Sequence, residues 1–114
     1  MHELSVCLAM LNQVSDIAER ERAANVTRIV IRVGPLSGVA PELLQQAFTI
    51  ARAGTIAEQA ELLTEEQPVR VRCLRCGSEC EARANHLVCC ECGDFRTRLI
   101  SGDELLLASV EFNR

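Results

Sequence analysis

Six of the chain's seven cysteines fall between residues 73 and 92, in the stretch CLRCGSECEARANHLVCCECG. Cys73 and Cys76 form one C-x-x-C pair, and Cys89 and Cys92 form a second. The 12 residues between the pairs, and a glycine directly after each, Gly77 and Gly93, make a two-knuckle pattern. Glycine lets the backbone turn tightly enough for amides to point at the thiolates. Four thiolates at about 2.3 Å in a tetrahedron describe a structural zinc site, closed to water and unsuited to hydrolysis. An iron–sulfur cluster takes the same four donors, and spacing alone does not separate the two; the paired glycines favour zinc. Free cysteines in an apolar core have little support, because the stretch offers almost no aliphatic residues besides Leu74, Leu87 and Val88.

Three cysteines and one histidine remain beside this set. Cys7 lies on an apolar helical stripe, where a small buried thiol is the simplest reading. Cys90 lies inside the second knuckle, and Cys80 follows the first by four residues. Both read as bystanders, reactive where exposed, with substitution for a zinc ligand as the alternative. His86, in the loop between the knuckles, reads as a surface residue or as another alternative ligand.

The other chemically distinctive stretch is the opening MHEL. The His2 imidazole, its backbone nitrogen and the Met1 amine can close fused chelate rings around one ion. Nitrogen donors in a plane suit Ni(II) or Cu(II). A bulky second residue favours retention of Met1. Glu3 adds a backbone nitrogen or a carboxylate oxygen, or serves only as first-turn charge complementing the helix dipole.

The elements that must position these groups follow from periodicity. From Leu4 to about Ala23, apolar residues recur at Leu4, Cys7, Leu8, Leu11, Val14, Ile17 and Ala18, an amphipathic helix. NVTRIVIRVG alternates as a strand, with Ile29, Ile31 and Val33 on one face and Arg28, Val30 and Arg32 on the other, ended by Gly34-Pro35. A second helix begins near Pro41, with the stripe Leu43, Leu44, Ala47, Phe48, Ile50 and Ala51, and Gly54 as its stop. AELLTEE and VRVRC read as strands, the latter leading into the cysteine segment, and GDELLLASVEF as a turn and closing strand. The fold expected is α/β (α+β), two helices on a small three-stranded mixed sheet, with residues 67–100 inserted as a zinc-ribbon-like domain between residues 1–66 and 101–114.

The bulk composition narrows function further. A chain of 114 residues, 48% hydrophobic, supports one modest core rather than a large enzyme cleft. Its net charge is −4 and every basic residue is Arg. That excludes a Schiff-base lysine, a phosphate-loop lysine and a polybasic tail. Glu3, Asp16, Glu19 and Arg20 interrupt any signal-peptide pattern, and no stretch reaches the roughly 20 apolar residues of a membrane span. The expectation is a soluble, cytoplasmic protein whose cysteines bind metal rather than form disulfides.

MHELSVC, IVIRVGPLSGV, the two C-x-x-C pairs and SGDELLLASVE together resemble the HypA/HybF family of hydrogenase-maturation, nickel-insertion proteins, over essentially the whole chain. The resemblance implies a Ni(II) site with His2 as ligand, aided by the Met1 amine and the backbone nitrogens of His2 and Glu3. It also implies structural Zn(II) on Cys73, Cys76, Cys89 and Cys92. It implies a metallochaperone, not an enzyme, that delivers nickel to the [NiFe]-hydrogenase large subunit with the GTPase HypB, some members also supporting urease. No nucleic-acid or membrane partner is expected, and the chain is expected as a monomer or weak homodimer.

Two rivals use the same knuckles. A zinc-ribbon nucleic-acid binder wants a strongly positive stripe, yet residues 67–100 carry six Arg against four Asp or Glu. A zinc tetrathiolate adds about −2, and Phe95 is the one aromatic available for stacking on bases. A zinc adaptor without transferable nickel predicts no specific Ni(II) uptake.

Overall fold

The computed structural model describes residues 3–114. Helix α1 spans Glu3–Arg20 and buries Cys7, Met10, Leu11, Val14 and Ala18. The stripe is therefore rotated from the expected one. Met10 joins it, while Leu4 and Leu8 are about half exposed at its margin. The helix also stops before Ala23. Arg22 takes a left-handed φ of 54°, and the Ala23 amide reaches back to the Ala18 carbonyl at 2.9 Å, a closure that satisfies an otherwise unpaired helix-end carbonyl.

Strand β1 (Asn25–Val33) is the centre of the first sheet. Val26, Ile29, Ile31 and Val33 are buried under the helices. The three-residue step from Val26 to Ile29 breaks simple alternation because the pairing with the last strand shifts register between Val26 and Arg28, and such a bulge inserts one residue without changing the face that follows. On the solvent face Arg28 pairs with Glu61 and Glu111, and Arg32 with Glu65.

Helix α2 (Pro41–Ala51) begins with Pro41 in the first turn, where a missing N–H costs nothing. It buries Leu44 and Phe48 one turn apart. Leu43 and Ile50, expected on the same stripe, are instead exposed, Ile50 by 73%; a short helix lying on a sheet covers only a narrow stripe. The helix ends with the Arg52 amide bonded to the Phe48 carbonyl, and Gly54 follows with a positive φ.

This helix is the crossover that allows β2 (Glu61–Glu66) to run parallel to β1. The chain then makes a second, fully antiparallel sheet from β3 (Arg70–Cys73), β4 (Glu79–Glu81) and β5 (Thr97–Ser101), with β3 in the middle. Strand β6 (Leu105–Asn113) returns to the first sheet antiparallel to β1, giving the order β2-β1-β6. The fold is thus the expected two helices on a three-stranded mixed sheet, with a small cysteine-bearing sheet between β2 and β6. Among the described residues, no helix is long and apolar enough to cross a membrane.

Candidate metal centre

The two knuckles are built alike. Strand β3 delivers Cys73, whose carbonyl accepts the Gly77 amide at 3.0 Å, and the Cys89 carbonyl accepts the Gly93 amide at the same distance. Gly77 and Gly93 have φ of 79° and 75°, which an L side chain adopts only at a cost. The turns aim amides at sulfur. Arg75 and Cys76 donate to the Cys73 Sγ at 3.3 and 3.4 Å, and Glu91 and Cys92 donate to the Cys89 Sγ at 3.3 and 3.4 Å.

These turns face each other. The Cys73 and Cys92 sulfurs are 3.6 Å apart, as are those of Cys76 and Cys89, and all four lie within 4.8 Å of one another. A tetrahedron with sulfur arms of about 2.3 Å has edges of about 3.8 Å. The arrangement therefore fits one tetrahedral ion. Cys73 and Cys89 are buried, whereas Cys76 and Cys92 are exposed.

The electrostatics point the same way. The Ser78 hydroxyl and amide draw Cys76 down to about 6, and the Cys76 amide lowers Cys73. Cys92 moves oppositely: although the Asp94 amide pulls it down, burial and the sulfurs of Cys73, Cys89 and Cys76 push it up to about 12. Four adjacent thiols cannot all ionise without a cation. A divalent ion held by Cys73, Cys76, Cys89 and Cys92 would displace the remaining protons.

Asp94, which sequence reasoning passed over, braces the second knuckle. Its carbonyl accepts the Cys89 amide at 3.0 Å. Its carboxylate accepts the Arg96 amide at 2.8 Å, the Arg96 Nε at 3.0 Å and an Arg96 terminal nitrogen at 2.8 Å. Arg75 of the first knuckle approaches the same carboxylate at 3.8 Å. The Arg96 contacts, chiefly, hold the Asp94 carboxyl well below the usual range. The signal available in the sequence was an acid directly after the second C-x-x-C-G, two residues before an arginine.

Cys80, Cys90 and His86 lie outside the four-sulfur group. Cys80 sits on β4, opposite Val71, and its sulfur accepts the Cys90 amide at 3.1 Å. The neighbouring Cys80 thiol, foremost, raises Cys90 to about 11. His86 is exposed; its amide donates to the Arg83 carbonyl and its carbonyl accepts the Val88 amide, both at 3.0 Å. Cys7 is buried as expected; its thiol donates to the Leu44 carbonyl at 3.5 Å and burial pushes it up.

Met1 and His2, the proposed nickel ligands, lie outside the described residues. Glu3 is described, and it is the one buried charged residue, 7% exposed, among those described. Its Oε2 accepts the amide of Ala40, the residue before α2, at 3.2 Å. No side chain of Ala40 caps that helix, so a carboxylate from the first turn of α1 contributes negative charge where α2 begins.

Comparison with known proteins places these features. A family model described as hydrogenase/urease nickel incorporation, metallochaperone, hypA matches residues 1–112. The hydrogenase maturation factor HypA of Aquifex aeolicus is 40% identical over 111 residues, 97% of this chain and 96% of that protein. That of Nitrosospira multiformis is 45% identical over the same length and shares. The solution structure of the Ni metallochaperone HypA from Helicobacter pylori aligns with a TM-score of 0.71 at 25% identity, covering 99% of this chain and 98% of that one.

Proposed function

The chain belongs to the HypA family of hydrogenase/urease nickel-incorporation metallochaperones, and on that premise we propose that it carries Ni(II) at its own amino terminus and hands it to the [NiFe]-hydrogenase large subunit. The cargo ligands are His2, the Met1 amine and the backbone nitrogens of His2 and Glu3. Cys73, Cys76, Cys89 and Cys92 hold a resident Zn(II) that knits the two knuckles together. Residues 1–66 with 101–114 form the nickel-binding unit, and residues 67–100 the zinc-binding unit.

The observation that carries this reading is the family match from residue 1 onward, which includes the MHE start. The packing of Glu3 supports it: the last residue of the proposed ligand set is buried and tied to α2. A site built from a terminal amine and backbone nitrogens is released by local opening of a few residues, which suits a carrier that must both hold and give up its ion. A nucleotide-driven step belongs to a partner, the GTPase HypB, since the chain has no phosphate loop.

The ribbon favours a metal site over a nucleic-acid surface. Arg72 is paired with Glu79, and Arg75 and Arg96 both approach Asp94, so half of its six arginines already face acids.

A transfer assay tests the proposal. Chain loaded with radioactive nickel and mixed with the purified metal-free large subunit and the GTPase should pass label to the large subunit. His2→Ala should abolish transfer while keeping its zinc. Equal transfer by both proteins would refute the amino-terminal assignment.

A further inference from the structure

The thiols left over from the metal centre are paired. Cys80, half-buried on β4, and Cys90, exposed in the second knuckle, are ten residues apart in sequence but touch, with the Cys90 amide on the Cys80 sulfur at 3.1 Å. They stand outside the four-sulfur group, and among the described residues no third donor joins them in a metal-sized group, so they do not complete a tetrahedral site. Two adjacent thiols on a surface are instead suited to two-electron exchange.

We propose that Cys80 and Cys90 form a reversible disulfide with low-molecular-weight disulfides as oxidant, a modification site separate from the zinc cysteines. A disulfide needs Cα atoms within about 4.4–6.8 Å. The Cys80 sulfur already lies 3.1 Å from the Cys90 backbone nitrogen, and the two thiols interact with each other directly.

The chemistry balances as two exchanges. One thiolate of the pair attacks a sulfur of RSSR, forming a mixed disulfide and expelling RS⁻, which takes up the proton the first thiol lost. The second cysteine then loses its proton and attacks the protein-side sulfur of the mixed disulfide. The Cys80–Cys90 bond forms, and the second RS⁻ leaves and is protonated. The two protein sulfurs are oxidised, RSSR is reduced to two RSH, and the protein loses two hydrogen atoms. The exposure of Cys90 leaves the bond open to the reverse exchange. The product ties β4 to the second knuckle across the loop that carries His86.

The inference rests on the zinc reading only in that a loaded cluster keeps its own thiols out of the exchange. The test is full-length, zinc-loaded chain treated with oxidised glutathione, then alkylated and mapped by non-reducing peptide mass spectrometry, with metal content read on the same sample. The expected result is a Cys80–Cys90 cross-link with zinc retained, and a stable glutathione adduct on the remaining cysteine in Cys80→Ser and Cys90→Ser. Cross-links through Cys73, Cys76, Cys89 or Cys92 with loss of zinc, or Cys80 and Cys90 found as thiols or as separate glutathione adducts in the wild type, would overturn it. A chain that never binds zinc counts against the metal reading alone, and the Cys80–Cys90 link is scored on it in the same way.

Discussion

Gly34 and Gly102 meet so closely that a Cβ added to Gly34 would lie 2.1 Å from the Gly102 carbonyl oxygen. Gly34 ends β1, and Gly102 joins β5 to β6, so this contact sits where the chain returns from the cysteine sheet to the first sheet. The Leu36 amide bonds to the same Gly102 carbonyl at 2.7 Å, and the Gly34 amide to Glu104 at 2.8 Å. Gly102 itself takes a φ of +117°, with Val69 2.9 Å from where its Cβ would be.

Gly34→Ala is therefore expected to cost about 3 kcal/mol of unfolding free energy, because backbone rather than a yielding side chain fills the space. Gly38→Ala, at φ +82° with nothing within 4 Å, should cost only about 1 kcal/mol from the backbone conformation. Urea denaturation of the two variants checks the contrast.

Removing the metal should unfold the two sheets unequally. Between Pro68 and Ser101 the buried apolar residues are Val69, Val71, Cys73 and Cys89, whereas the helices, the first sheet and the turn between α2 and β2 bury fourteen residues in one cluster. A strong chelator should therefore strip amide protection from β3, β4 and β5 and leave α1, α2 and β1 protected. Hydrogen exchange with and without zinc measures this, and uniform loss of protection would contradict it.

Asp94→Asn keeps the shape but loses the charge that holds Arg96 and draws in Arg75. Because the Asp94 backbone also receives the Cys89 amide, a loosened residue 94 loosens the second knuckle. Zinc affinity is expected to fall roughly 10- to 100-fold, the usual effect of removing a group that orients metal ligands. Competition with a chromophoric chelator reads it directly.

Much of this was legible in the residues themselves. The four-cysteine group was readable because C-x-x-C-G fixes a turn locally, and the strands because Val69, Val71 and Cys73 alternate. Helical faces were less so: Leu4, Leu8, Leu43 and Ile50 are apolar, but whether they are covered depends on how α1 and α2 lie on the sheet, which periodicity does not encode. The Glu3–Ala40 and Cys80–Cys90 contacts join residues 37 and 10 positions apart, and spacing alone gave no sign of either.

Glu3 links the visible fold to the proposed nickel ligands. Glu3→Gln retains an oxygen that can accept the Ala40 amide, whereas Glu3→Ala leaves that amide without this acceptor. The alanine variant is expected to melt lower than the glutamine variant and to bind Ni(II) more weakly. Thermal melts paired with nickel titrations check both.

In the proposed carrier the start of the chain itself is the nickel site. Calorimetric titration of Ni(II) into zinc-loaded protein with its native amino terminus, beside His2→Ala and a form extended by a few residues before Met1, tests it most directly. The native chain should bind one nickel, and both of the others should lose that site. Equal nickel binding by all three proteins would contradict it.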